Sequence, residues 1–98
     1  MKTFKRTKSK EIKSAFERHQ NSIKFELHDA YKSPSDNKYM ALEECRLIMQ
    51  NHNGFDLRII SYNTFTFTVG FFGYIENELN FFYITADKIR YTHINNLI

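Results

Sequence analysis

The chain has 98 residues, which fits a single domain, and its 42% hydrophobic and 26% charged residues are typical of a folded globular protein and not of a disordered one. One cysteine, Cys45, excludes an intramolecular disulfide bond, and no stretch approaches the roughly 18 apolar residues that span a membrane. The net charge of +3 is uneven, because residues 1–24 hold eight Lys or Arg against two Glu, whereas residues 25–98 hold six against nine Asp or Glu.

The N-terminal part of the chain begins with a basic segment and continues as a helix. Met1–Lys8 offers little to bury, so we expect a flexible basic arm. Ser9 can cap a helix whose apolar face repeats at helical spacing through Ile12, Ala15 and Phe16, with His19 at the next position of that face. Residues 23–28 alternate between apolar and polar side chains, which predicts a half-buried strand, and residues 32–37 have the composition of a loop.

A second helix and a run of strands are predicted for the rest of the chain. The helix extends from Lys38 to about His52 with Cys45 in its apolar stripe, and Gly54 follows at the place where a residue of positive φ ends many helices. Apolar and aromatic runs then predict strands at residues 56–62, 64–75, 79–85 and 89–94, with a turn at residues 76–78. Residues 95–98 are expected to be a frayed tail.

These elements predict one α+β domain over residues 9–94, in the order α-β-α-β-β-β. Because consecutive hairpins favour antiparallel pairing, we expect an antiparallel sheet of three to five strands. The second helix is expected to be the main helix packed on one face of this sheet, with the N-terminal helix as an additional element.

Aromatic residues are frequent in the predicted sheet, and they leave two interpretations open. The neighbours in Phe71-Phe72 and in Phe81-Phe82 must point to opposite faces of the sheet. Either the first helix or the strand ends cover the second face, or that face is exposed and binds a partner, since large exposed apolar patches mark interaction sites. The second interpretation predicts partner-binding side chains at Phe72, Tyr74, Phe82 and Tyr91, or a homodimer that pairs through the sheet.

The basic arm supplies a second candidate surface. Its cations could neutralise the phosphates of RNA or DNA, which gives affinity without sequence specificity and a steep dependence on salt. The alternative is a solvated terminus that only keeps the protein soluble. The candidate nucleic-acid-binding residues are Lys2, Lys5, Arg6, Lys8, Lys10 and Lys13.

Motifs for catalysis are not recognisable in the sequence. The four histidines show no zinc-binding spacing, and no glycine-rich phosphate loop occurs among the three glycines. Cys45 lies on the apolar side of the second helix, where a small core residue is expected. The sequence therefore predicts a protein that is not an enzyme, with no catalytic residue, no metal site and no cofactor.

The segment Ile59–Ile84 (IISYNTFTFTVGFFGYIENELNFFYI) resembles small accessory proteins carried by phages and prophages of AT-rich, Gram-positive hosts. The resemblance covers about a quarter of the chain and rests on its hairpin rich in Thr, Phe and Tyr. It implies a protein that binds a host machine and disables or redirects it, as anti-CRISPR proteins do. The basic N-terminal segment departs from the acidic surface by which many such inhibitors imitate DNA.

The favoured hypothesis is therefore a non-enzymatic binding protein, most concretely a phage- or mobile-element-encoded inhibitor of a host nucleic-acid-handling complex such as a CRISPR–Cas effector. Its partner would be a host protein or ribonucleoprotein in the cytoplasm of the bacterial host, with no role for a membrane. The alternatives are a small nucleic-acid-binding module that uses the basic arm and the aromatic sheet, and a homodimeric structural protein.

Overall fold

Five strands and two helices make up the part of the chain that the computed structural model describes, which is residues 3–22, 36–62, 67–85 and 88–98. The α+β class is thereby confirmed. The strand predicted at residues 23–28 lies outside the described residues. The elements in chain order are β1 (Thr3–Arg6), α1 (Lys10–Gln20), α2 (Asp36–Asn51), β2 (Phe55–Tyr62), β3 (Phe67–Ile75), β4 (Glu78–Ile84), β5 (Lys88–His93) and a short 3-10 helix (Ile94–Asn96).

The sheet has the strand order β1-β5-β4-β3-β2 and is mixed, not purely antiparallel. The pairs β2–β3, β3–β4 and β4–β5 are antiparallel, as the hairpin pattern predicts, whereas β1 runs parallel to β5. The expectation of an all-antiparallel sheet is wrong at this one pair. The hairpin rule concerns strands that follow each other along the chain, and β1 and β5 lie at its two ends.

The prediction of a flexible arm at residues 1–8 is wrong for Thr3–Arg6, which forms β1. In its register with β5, Phe4 lies opposite Ile89 and Arg6 opposite Tyr91, and the pairing continues where the Thr7 amide donates to the Tyr91 carbonyl oxygen at 2.9 Å. The aromatic ring of Phe4 is the feature that the arm interpretation overlooked. It has ring partners on β4 and β5, so the segment does have something to pack against.

Helix α2 packs on one face of the sheet, as predicted. Cys45 of this helix is fully buried, which confirms it as a core residue. The sheet contributes alternate side chains of its central strands, because residues two apart on a strand share a face. The resulting cluster consists of Cys45, Leu57, Val69, Phe71, Phe82, Ile84 and Ile89.

Helix α1 packs on the opposite face and buries the other set of aromatics. Ser9 stands at its N-cap position with extended backbone, as predicted. Ile12 and Ala15 contact Phe81 and Tyr83, with Phe16 and Phe72 packed at the margin of this cluster. The interpretation in which the first helix covers the second face is therefore the correct one.

The end of α2 differs from its prediction in a physically clear way. Asn53, and not Gly54, takes the left-handed conformation, with φ 51°. Gly54 is instead held close to the helix, where its amide donates to the Met49 carbonyl oxygen at 2.7 Å and an added Cβ would lie 2.8 Å from the Cβ of Met49. Glycine is needed at this position for space.

The turn between β3 and β4 and the residues that follow β5 both have regular local structure. Glu76 and Asn77 form the two-residue turn between β3 and β4, with φ values of 51° and 66° that match the twist of a tight hairpin. Beyond β5, Ile94–Asn96 forms one turn of 3-10 helix, so the frayed tail expected at residues 95–98 is wrong for Asn95 and Asn96, and the last strand ends one residue before its predicted end at Ile94. The Nδ1 atom of His93 caps this turn by accepting from the Asn95 amide at 3.1 Å.

Candidate functional site

The parallel pairing of β1 fixes Lys5 and Arg6 on the outer strand of the sheet. Because side chains alternate along a strand, Lys5 lies on the α1 side of the sheet, whereas Phe4 and Arg6 lie on the α2 side. Lys8 follows in the exposed connection to α1. We define the basic edge as the exposed cations Lys5, Arg6, Lys8, Lys10 and Lys13; Lys2, also predicted, lies outside the described residues.

Strand β5 brings two further cations to the same border. Lys88 and Arg90 lie opposite Thr3 and Lys5 in the parallel register. Sequence reasoning missed both residues, because they are more than eighty positions from β1 and no local pattern predicts a parallel pairing between the ends of a chain. At this border, cations from the two ends of the chain therefore lie on adjacent strands.

One carboxylate, Glu11, lies among these cations and is contacted by two side chains of the sheet. Lys88 Nζ lies 2.6 Å from Glu11 Oε1, and the Tyr83 hydroxyl donates to the same oxygen. The hydrogen bond from Lys88, followed by that from Tyr83, holds the pKa of the Glu11 carboxyl below its ordinary value. Glu11 therefore neutralises Lys88 and ties α1 to the sheet, and the basic edge keeps its positive charge.

Phe4 adds an aromatic surface beside Arg6. Phe4 is 45% exposed although its ring stacks on that of Tyr91, with the ring centroids 4.7 Å apart and the planes at 26°. The rings of His52 and Phe82 lie 5.9 and 6.1 Å away at 15° and 25°. Phe4 thus has three aromatic neighbours whose planes lie close to parallel with its own, and nearly half of the residue remains in solvent.

The four residues predicted as partner anchors do not form one exposed surface. Phe82 is fully buried under α2 at 0% exposure, so its assignment as an anchor is wrong. Phe72 is half-buried against α1, with its ring centroid 6.2 Å from that of Phe16, and Tyr91 is half-buried beneath Phe4. The reason is that each sheet face carries a helix, which the exposed-face interpretation had not assumed.

Tyr74 is the one predicted anchor that is well exposed. It is 42% exposed and lies 6.1 Å, between ring centroids, from Phe55, which is 43% exposed. Sequence reasoning had placed Phe55 outside the strands, so it missed this neighbour. The pair lies on β3 and β2, towards the border of the sheet opposite β1.

A pocket of about 160 Å³ opens near Arg6 and the β3–β4 turn. Asn80 forms part of its wall; its Nδ2 donates to the Glu78 carbonyl oxygen at 3.0 Å, and its buried Oδ1 has no hydrogen-bond partner in the described part of the chain. Two carboxylates also face this space, which makes it a poor site for a phosphate group. The lining residues are Arg6, Ile75, Glu76, Glu78, Asn80 and Tyr91.

His19 and its neighbours form a structural joint between α1 and β2. The fully buried His19 ring places Nε2 2.8 Å from the Asp56 carbonyl oxygen, and since a carbonyl only accepts, Nε2 carries the proton. Arg58 pairs with the Asp56 carboxylate at 3.0 Å and donates to the carbonyl oxygens of His19 and Ser22, also at 3.0 Å each. These groups are hydrogen-bond and ion-pair partners of one another, so the cluster holds the end of α1 against the sheet.

The chain matches no family model, no curated protein and no solved structure. Within the described ranges, no group of three or more His, Cys, Asp or Glu side chains is placed to hold a metal ion. None of the helices described there combines the length and the apolar character that crossing a membrane requires. The resemblance to phage accessory proteins stays a prediction, as does the expectation that the protein is not an enzyme.

Proposed function

We propose that this chain is a non-enzymatic binding protein that contacts the phosphate backbone of RNA or DNA through its basic edge. The single observation that carries the proposal is the parallel β1–β5 pair, which fixes the exposed cations Lys5 and Arg6 on the outer strand of the sheet. A disordered arm would have to lose conformational entropy on binding, whereas cations on a paired strand are already held in place. Phosphate contacts of this kind are worth most at low salt.

The exposure of the edge supports this proposal. Lys5, Arg6, Lys8, Lys10 and Lys13 are all exposed, and the strand order leaves the outer side of β1 without a neighbouring strand among the described residues. Like charges on an outer strand also discourage pairing with a second copy of the same strand. The edge therefore suits a polyanion better than it suits edge-to-edge dimerisation.

Binding of labelled nucleic acid to the full chain tests the proposal, with fluorescence anisotropy measured over a range of salt concentrations. The variant Lys5→Gln/Lys8→Gln should bind a single strand more weakly, and its plot of log affinity against log salt should be shallower by about 1.4, since each lost phosphate contact contributes about 0.7. The matched control is Arg18→Gln/Arg46→Gln, which removes two cations away from the edge and should bind like the unmodified protein. Equal binding by both variants, or no binding at physiological salt, would contradict the proposal.

A second candidate function is the inhibition of a host nucleic-acid-handling complex, such as a CRISPR–Cas effector, through a protein contact. The exposed pair Phe55 and Tyr74 favours it, because aromatic side chains commonly dominate the affinity of protein interfaces. In a cleavage assay with a purified effector, Phe55→Ala/Tyr74→Ala should abolish inhibition while Lys5→Gln/Lys8→Gln retains it. The reverse pattern would assign any inhibition to the basic edge. Origin from a phage and location in the host cytoplasm stay predictions.

A further inference from the structure

We infer that Phe4 is a stacking platform for one unpaired nucleobase, so that the nucleic acid recognised by the basic edge is single-stranded. This inference rests on the proposed function and narrows it to one class of ligand. Sequence reasoning did not single out Phe4, because the arm was expected to be flexible. The structure gives the ring a fixed position on β1.

The geometry of the Phe4 ring suits stacking on a base. The Phe4 ring lies within 15–26° of parallel to the rings of His52, Phe82 and Tyr91, so these neighbours hold its orientation, yet the residue remains 45% exposed. Bases stack on aromatic faces without regard to their sequence, because every base has a π surface. A ring that is fixed in position and still open to solvent is suited to this contact.

The charges near the Phe4 ring suit a phosphate backbone. Arg6 lies on the same sheet face as Phe4, two residues along the strand, and Lys5 lies between them on the opposite face. A nucleic-acid strand that follows β1 would therefore meet two cations directly beyond the point where a base could lie on Phe4. The carboxylates Glu76 and Glu78 lie in the pocket beyond Arg6, which restricts favourable phosphate contacts to the outer border.

Stacking on Phe4 favours single strands over duplexes. In a duplex each base is already stacked between its neighbours, so a base can reach Phe4 only if it first leaves that stack at a cost in free energy. In a single strand the bases can be splayed out and stacked on protein aromatics. Phosphate contacts alone would not make this distinction, because both forms carry phosphates.

Two substitutions at Phe4 test the inference in the full chain. Phe4→Leu keeps an apolar side chain over Tyr91 but removes the π face, and we expect about tenfold weaker binding of a single strand with an unchanged salt dependence. Binding of duplex DNA should be unaffected. Phe4→Tyr keeps an aromatic ring and should bind single strands like the unmodified protein, which controls for disturbance of β1.

A fluorescent reporter gives an independent readout, because the chain contains no tryptophan. Phe4→Trp should show quenched emission when a single strand binds, whereas Phe55→Trp, at a site of nearly equal exposure on the opposite border strand, should not. If the unmodified protein binds no nucleic acid, both the proposed function and this inference fail. If it binds single and double strands alike, and Phe4→Leu changes neither, the stacking inference alone is overturned.

Discussion

His19 shows how a single buried side chain links pH to the stability of this fold. Burial lowers the pKa of His19 below its ordinary value of 6.5, and the hydrogen bond to the Asp56 carbonyl oxygen opposes this shift only in part. The unfolded chain therefore takes up a proton at His19 at a higher pH than the folded chain does. Its contribution to stability is complete above pH of about 6.5 and is lost progressively as the pH falls towards the folded pKa.

Replacing His19 with a side chain that does not titrate should separate this effect from the other histidines. We expect His19→Gln to lower the free energy of unfolding at pH 7 by about 1–3 kcal/mol, because the packing against Phe72 and Phe81 is lost. The difference should shrink between pH 7 and pH 5, since only the unmodified chain has a penalty for protonation there. Urea unfolding at several pH values measures it, and parallel curves for the two proteins would contradict the assignment.

At the scale of the elements, the contact between α2 and β3 depends on the close approach of the helix end to the backbone of the strand. The Tyr74 amide donates to the His52 carbonyl oxygen at 2.8 Å, and an added Cβ on Gly73 would lie 3.1 Å from that same oxygen and 3.1 Å from the Phe82 ring. The oxygen is held by its hydrogen bond and the ring by the core, so neither moves freely. A side chain at Gly73 would therefore crowd the contact between the helix end and the strand.

This contact gives a prediction about stability. Gly73→Ala should lower the free energy of unfolding by about 1–3 kcal/mol, as overpacking of a tight contact does. Asn77→Gly is the control, because the φ of 66° at this turn position suits glycine, and it should change the free energy by less than about 0.5 kcal/mol. Urea denaturation of both variants at pH 7 provides the comparison. A loss of stability in the turn variant alone would show that the contact is not under steric constraint.

The elements could be predicted from local patterns where the pattern itself dictates them. The helical spacing of Ile12 and Ala15 and the alternation through Phe71 and Phe82 are such patterns, and both helices and all four strands of the C-terminal half lie close to their predicted positions. Strand β1 could not be predicted in this way. Four residues with two cations carry little periodicity, and the partner that stabilises them is at the other end of the chain.

At the scale of the whole molecule, the same long-range pairing decides where the candidate site lies. Five of the six cations expected to bind nucleic acid are described, and all five are exposed on β1, α1 or the connection between them. The expected aromatic surface is divided differently, because two helices cover both faces and bury Phe82. The spacing of residues in the sequence does not predict tertiary packing of this kind. The exposed aromatic side chains therefore lie not at the centre of the sheet, as expected, but at Phe4 on one border and at Phe55 and Tyr74 near the other.

The most direct test of the account is to map the contact surface of a bound single strand on the ¹⁵N-labelled full chain by NMR. Titration with a short oligonucleotide should shift the amide signals of β1, of the connection to α1 and of β5, with little change at Phe55 and Tyr74. This result would place the nucleic acid on the basic edge. Shifts confined to Phe55 and Tyr74 would contradict the central claim that the paired termini form the binding surface. The absence of any shift at concentrations that saturate binding in the anisotropy measurement would contradict it as well.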